Sequence, residues 1–283
     1  MSESSILNKI RDLDSRIIYA ILIISLLIPY VRPLGLPIPI GNEIQDYYEF
    51  ITTIEEGSVV AIELASDPST IPQLRSAHQI TILKLFERNC KLVFFHMRDD
   101  AQPLHEAMME WVLENLPLAD KPVYGEDYVN LGYLVDAEST VAALASGVKD
   151  FVSSDAYDNE LSSLPMLEDI DDGSDFDLVI WNDGSRGIFT YMLRQWQEVY
   201  GTPLVVIAVS INKPTVMPYL QSGQVSAGSF GIDGSAQLEY ISGYVGDATK
   251  ATEPGSLAGL SIMMLLIVGN VVYFIQKSRG EES

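Results

Sequence analysis

The chain is poor in the residues that build metal centres, disulfide frameworks and polyanion-binding surfaces. One cysteine, Cys90, stands among 283 residues, which excludes an intramolecular disulfide framework and any all-cysteine metal site. It precedes the apolar run KLVFFHM and reads as a core thiol. The three histidines, His78, His96 and His105, have no zinc-site spacing, and no H-E-x-x-H is present. Basic residues are also few: 17 Lys and Arg face 39 Asp and Glu, a formal net charge of -22. Phosphate binding needs clustered cations to displace counterions, so nucleic acid is excluded as a partner. The same surplus keeps the acidic part off an anionic lipid surface. Phosphate loops are missing too. There is no G-x-x-x-x-G-K-[ST], and SDPSTI stands where a G-x-G-x-x-G would follow the first strand. The cofactor is left unknown.

Long hydrophobic runs are what the chain does have. Residues 257–275, LAGLSIMMLLIVGNVVYFI, carry no charge, and about 20 apolar residues are what a helix needs to cross the hydrocarbon core. Tyr273 and Phe274 close the run at interface depth, and Lys277 and Arg279 follow it. Residues 17–31, IIYAILIISLLIPYV, are shorter, but Arg32 can snorkel and residues 34–40 add apolar length. PLGLPIPIG after them lacks a small-x-small cleavage pattern, so an uncleaved anchor is expected. The resulting plan is a polar tail at 1–16, an anchor at 17–40, an acidic domain at 41–255, a second span at 256–276 and a tail at 277–283. Lys9, Arg11 and Arg16 with the C-terminal pair outnumber Arg32 and Lys250 beside the domain. Both termini are thus expected in the cytoplasm and the domain on the outer face of the cell membrane.

Within the domain, residues 58–65 (SVVAIELA), 91–97, 175–181 (DFDLVIW) and 203–210 (PLVVIAVS) read as buried strands. Helical spacing recurs at 69–88, 104–116 and 186–200. Strands alternating with helices predict an α/β fold, a Rossmann-like three-layer sandwich with a mostly parallel sheet. Residues 120–172 fit this grammar least, with one helical patch at 137–151, and are expected to be an insertion.

Ligands of open parallel sheets bind beyond the carboxyl ends of the strands. Ser66, Asp67, Arg98, Asp99, Asp100, Asn182, Asp183, Gly184, Ser210 and Asn212 stand there. Asp67, Asp99 and Asp183 could hold a divalent cation through oxygen, or could cap the following helices. Two further segments stand out. YGEDYVNLGY at 124–133 sets Tyr124, Tyr128 and Tyr133 around Glu126, Asp127 and Asn130, which suits a polar pocket or a tight turn packed by aromatics. PYLQSGQVSAGSFGIDGSAQLEY at 218–240 alternates Gly223, Gly228, Gly231 and Gly234 with serines, which lets a backbone approach a ligand, a helix or another subunit closely.

At these two segments the chain resembles a family of prokaryotic membrane-anchored proteins with a YGxDYVxLGY-like motif, an LPM-like segment and a PYxxSGQ segment ending in A-x-x-E-Y. Here the matching residues are Tyr124, Gly125, Asp127, Tyr128, Val129, Leu131, Gly132 and Tyr133, then Leu164, Pro165 and Met166, then Pro218, Tyr219, Ser222, Gly223, Gln224, Ala236, Glu239 and Tyr240. Ser226 and Ser229 depart from the glycine-rich pattern. The resemblance implies an architecture and no activity. Three readings stay open. The first is a tethered module that binds a ligand or partner through Tyr124, Asp127, Tyr128, Asp183, Ser222, Gly223, Gln224, Gly228 and Glu239. It would act as a homo-oligomer or in a membrane complex, favoured by Asn270, Gly259 and Gly269 in the last span. The second is a membrane-anchored, serine peptidase-like hydrolase using Ser222, with His96 or Lys213 as base. The third is a metal-dependent enzyme on Asp67, Asp99 and Asp183.

Overall fold

The computed structural model describes residues 14–278 apart from 33, 65 and 185–188, and leaves out the side chains of Tyr30, Asp183 and Gln276. It divides into an α/β unit, Ile38–Ala248, and a helical unit made of Met1–Pro37 with Thr249–Ser283. The strands are β1 (Val59–Glu63), β2 (Lys91–His96), β3 (Tyr128–Tyr133), β4 (Leu178–Asp183), β5 (Leu204–Ala208) and β6 (Ala227–Phe230). The principal helices are α1 (Ser15–Val31), α2 (Asn42–Thr53), α3 (Ile71–Glu87), α4 (Gln102–Asn115), α5 (Glu138–Ser146), α6 (Lys213–Ser222), α7 (Gly231–Ser242) and α8 (Asp247–Ser278).

All six strands are parallel, in the order β3-β2-β1-β4-β5-β6. Parallel pairing demands crossovers, and the apolar character of both strand faces is what those crossovers bury. Ile62, Phe94, Ile180 and Ile207 point to a core closed by α2, α3, α4 and α7. Ala61, Phe95, Trp181 and Val206 point to the other, closed by α5, α6 and the helical run from Thr190 to Tyr200. That run contains a π-helical stretch, Leu193–Gln197, and stops at Gly201, whose φ of 77° supplies the left-handed cap.

β1 meets β4 through reciprocal bonds at its start. The Val59 N–H donates to Asp177 Oδ2 at 2.8 Å across 118 residues, and the Asp177 N–H donates to Val59 O at 2.9 Å. The expected insertion at 120–172 is corrected: it supplies β3, an edge strand of the sheet, followed by α5 and short 3-10 turns. Four of the six residues of β3 are Tyr, Asn or Gly (Tyr128, Asn130, Gly132 and Tyr133), which hides the strand from an apolar pattern.

In the helical unit, α1 ends at Val31, so the apolar length expected over 17–40 is helical in its first part only. Pro37 and Pro39 lack the N–H a continuing helix needs. Glu253 accepts instead from the amides of Leu34 (2.9 Å) and Gly35 (2.7 Å), where Gly35 has φ of +63°. Ser25 and Ser261 bring their hydroxyls to 2.7 Å, joining α1 to α8. Each also lies within reach of its own i−4 carbonyl, Ile21 O and Leu257 O. A hydroxyl has one proton, so one serine donates across and the other back along its helix. Among the described residues one helix, Asp247–Ile275, is long and apolar enough to cross a membrane by length and composition; the apolar part of α1, Ser15–Pro29, is shorter.

Candidate functional site

Parallel strands put all six carboxyl ends on one edge, and the crossovers diverge between β1 and β4. There Asn182 donates from Nδ2 to Ser66 Oγ at 2.8 Å, both side chains being buried. His78 on α3 is buried beside them, and burial pushes its imidazole down to about 4 against the opposing Asn182 amide. Asp67 stands in the turn from β1 into α3. Its Oδ1 accepts from the amides of Ser69 (2.8 Å) and Thr70 (2.9 Å) in the turn that leads into α3. Those bonds, with the Ser69 hydroxyl first, hold the Asp67 carboxyl below its usual range. Arg98 grips Asp100 through two bonds of 2.9 and 3.0 Å and reaches Asp67 at 3.9 Å. Asp99 is exposed in the turn after β2. Asp183 ends β4, and its side chain lies outside the described residues. Among the described residues no group of three or more His, Cys, Asp and Glu could hold a metal ion.

The same sheet edge opens beside β5 and β6 into a cleft of about 230 Å³ lined by Glu43, Ser210, Lys213, Phe230, Asp233 and Gln237. Local sequence explains its walls. Ser210 leaves β5 in a 3-10 turn, and Lys213 starts α6 with Pro214 behind it, a favoured first-turn position. Gly231 starts α7 with φ of +62°, and a Cβ there would overlap Ser210 Oγ. Gly234 lies on Ser229 Oγ, to which a Cβ would come within 2.8 Å. Lys213 Nζ pairs with Glu43 Oε2 at 2.8 Å and lies 5.4 Å from the Phe230 ring centre. Gln237 Oε1 accepts from the Gly41 amide at 2.8 Å. The cleft thus offers two carboxylates, one ammonium, a hydroxyl and an amide around an aromatic floor.

The two distinctive segments are not brought together. YGEDYVNLGY enters and forms β3 at one sheet edge, whereas the glycine-rich segment forms β6 and α7 at the other. The first is a turn packed by aromatics. Tyr124 donates to Asp155 Oδ2 at 2.7 Å and stacks edge-on against Tyr128 and Tyr157, and Asp127 accepts from the Val123 amide at 2.7 Å. Burial, then the Asp155 bond, pushes the Tyr124 hydroxyl above its ordinary range.

In the second segment, Gly223 caps α6 with φ of +80° and Gly228 lies over the Phe230 ring. Glu239 is buried, accepting from Ser76 Oγ (2.5 Å) and the amides of Gly246 (2.8 Å) and Ala248 (3.0 Å). Ser222 is exposed at the end of α6, donating to Tyr219 O or Gln224 Oε1. Neither base expected for it is near. Lys213 is nine residues back on the same helix, about 13 Å away along the axis. His96 faces the core on the other side of the sheet, its ring 5.0 Å from that of His105.

The strand-end rule pointed to Ser210, and composition pointed to the region of Asp233 and Gln237. Glu43 gave no signal, because one acid in an acidic helix is indistinguishable from a solvated one. No protein-family model, curated protein or solved structure matches the chain.

Proposed function

We propose that the protein is a membrane-tethered binding module whose Rossmann-like domain takes a small zwitterionic ligand, of the size and charge of an amino acid, in the cleft beside β5 and β6. The observation that carries this is the pairing of opposite charges on one cleft: Glu43 and Asp233 for a cationic group, Lys213 for an anionic one. A volume of about 230 Å³ lies below the roughly 300–1,000 Å³ of drug-sized pockets, which favours a small metabolite. Nucleotides are disfavoured because Asp67 already fills the amides that would hold their phosphates. The serine-hydrolase and metal-enzyme readings draw no support from the placement of Ser222 or of Asp67 and Asp99.

The tether is a pair of helices, α1 and α8, crossing the cell membrane with both termini cytoplasmic and the domain outside. Support comes from the Ser25–Ser261 bond within the helical unit and from the exposed apolar side chains along both helices. Digestion of the domain in intact spheroplasts is the expected result; protection would reverse the orientation.

Binding is tested by thermal shift of the full chain in mild detergent against the amino acids, simple amines, carboxylic acids and nucleotides. A ligand at 100 times its dissociation constant adds about 2.7 kcal/mol of stability. The expected hit is an amino acid whose shift disappears in Lys213→Ala and Asp233→Asn. No shift with any zwitterion, or one that survives both substitutions, sinks the reading.

A further inference from the structure

Ser261 and Val272 are 11 residues apart on α8, about three turns, so they share one face. Ser261 meets Ser25 of α1, and Val272 is buried at 5% exposure. Asn270 is nine residues from Ser261, two and a half turns, which puts it on the opposite face. It is exposed there. One amide N–H donates to Leu266 O at 2.8 Å; the other N–H and the carbonyl oxygen have no partner among the described residues. The same stripe carries Met263, Leu266 and Phe274, exposed at 58, 61 and 63%. It also carries Gly259, where a Cβ would meet nothing within 4 Å. Gly269 lies about a quarter-turn off the stripe.

We infer that this face of α8 docks against the same face of a second copy, forming a parallel pair in which the two Asn270 amides bond across the twofold axis. The inference rests on the reading of α8 as a membrane span. Asn270 sits about 6 Å from the midpoint of the 257–275 run, inside the hydrocarbon, where an unpaired amide is costly. Its own partner helix cannot serve, because α1 lies on the other side. Copies inserted in one orientation bring identical residues to identical depth, and an amide is complementary to itself, donor to acceptor in both directions. Gly259, nearer the start of the span, lets the two backbones close up.

The test is the mass of the full chain in mild detergent and in nanodiscs, with carbonate extraction of the parent membranes run beside it. A dimer is expected, with a dissociation constant roughly tenfold higher in Asn270→Leu and raised also in Gly259→Leu. Gly269→Leu leaves it unchanged. Oxidation of membranes carrying Asn270→Cys yields a crosslinked dimer, and Gly269→Cys does not; Cys90 is buried and does not compete. A monomer that resists carbonate, a dimer indifferent to both stripe substitutions, or a complex with a different protein overturns the inference alone. Release by carbonate overturns the membrane reading and this pairing with it.

Discussion

Asn182 and Ser66 lie 2.8 Å apart, amide to hydroxyl, and tie the carboxyl end of β4 to the segment leaving β1. Neither side chain has access to water. Removing either partner leaves a buried polar group unmatched, so Asn182→Ala and Ser66→Ala are each expected to cost about 1–3 kcal/mol. The double variant should cost less than the sum, because the pair is then lost together. Denaturant titration followed by the buried Trp181 and Trp196 reads this out. Additive losses would mean that the bond contributes nothing.

Acid should destabilise the domain well above the range where carboxylates protonate. His78 and His96 are held neutral by burial at about 4 against an ordinary 6.5, and burial holds His105, beside His96, well below that ordinary value too. With folded values below unfolded ones, the unfolded chain binds more protons, so stability is complete above about pH 6.5 and is lost as pH falls toward 4. Each of the first two is worth about 3 kcal/mol over that window. Asp67 and Asp155, whose carboxyls are lowered, lose their contribution only below 3.8. Unfolding free energies compared at pH 7.5 and 5 check this, and a flat profile there would sink it. His96→Gln should reduce the slope.

Gly231→Ala strains the chain twice, by its positive φ and by overlap with Ser210 Oγ. The expected cost is about 2–4 kcal/mol. Adding Ser210→Gly should recover the overlap part and leave the backbone part. Melting temperatures of the single and double variants separate the two; no recovery would place the whole cost in the backbone.

Glu239 accepts, inside the protein, from the Ser76 hydroxyl, from the Gly246 amide in the loop after α7 and from the Ala248 amide in the first turn of α8. Glu239→Ala should cost about 3 kcal/mol. Hydrogen exchange of Gly246 and Ala248 should quicken more than that of α7 itself. Uniform quickening across the domain would argue for a global effect instead.

Much of this architecture is legible in the sequence, and the exceptions share a cause. β1, β2, β4 and β5 are runs of Val, Ile, Leu and Phe, and their helices carry apolar residues at helical spacing, so both periods are visible. β6 is AGSF, four residues held by one neighbour, with no pattern of its own. β3 and α7 contain glycines that serve as strand and helix in this context and read as turns outside it. Asp67 illustrates the site. A strand-end aspartate can cap a helix or hold a cation, and only the positions of the Ser69 and Thr70 amides show that it closes the turn leading into α3. Glu239 looks like a ligand contact by its place in a distinctive segment, and burial against amides of its own chain shows a structural part. Lys213 and Glu43 meet across 170 residues, a distance that no local pattern records.

The reciprocal bonds between Val59 and Asp177 place a demand on synthesis. β1 sits at the centre of the finished sheet, yet its β4 side has nothing to pair with until 118 further residues exist. At about 5–20 residues per second, that flank stays open for roughly ten seconds. A half-sheet of β1, β2 and β3 formed in that interval would carry an unsatisfied apolar border along β1. A chaperone that covers apolar strand borders would have most to protect in that interval.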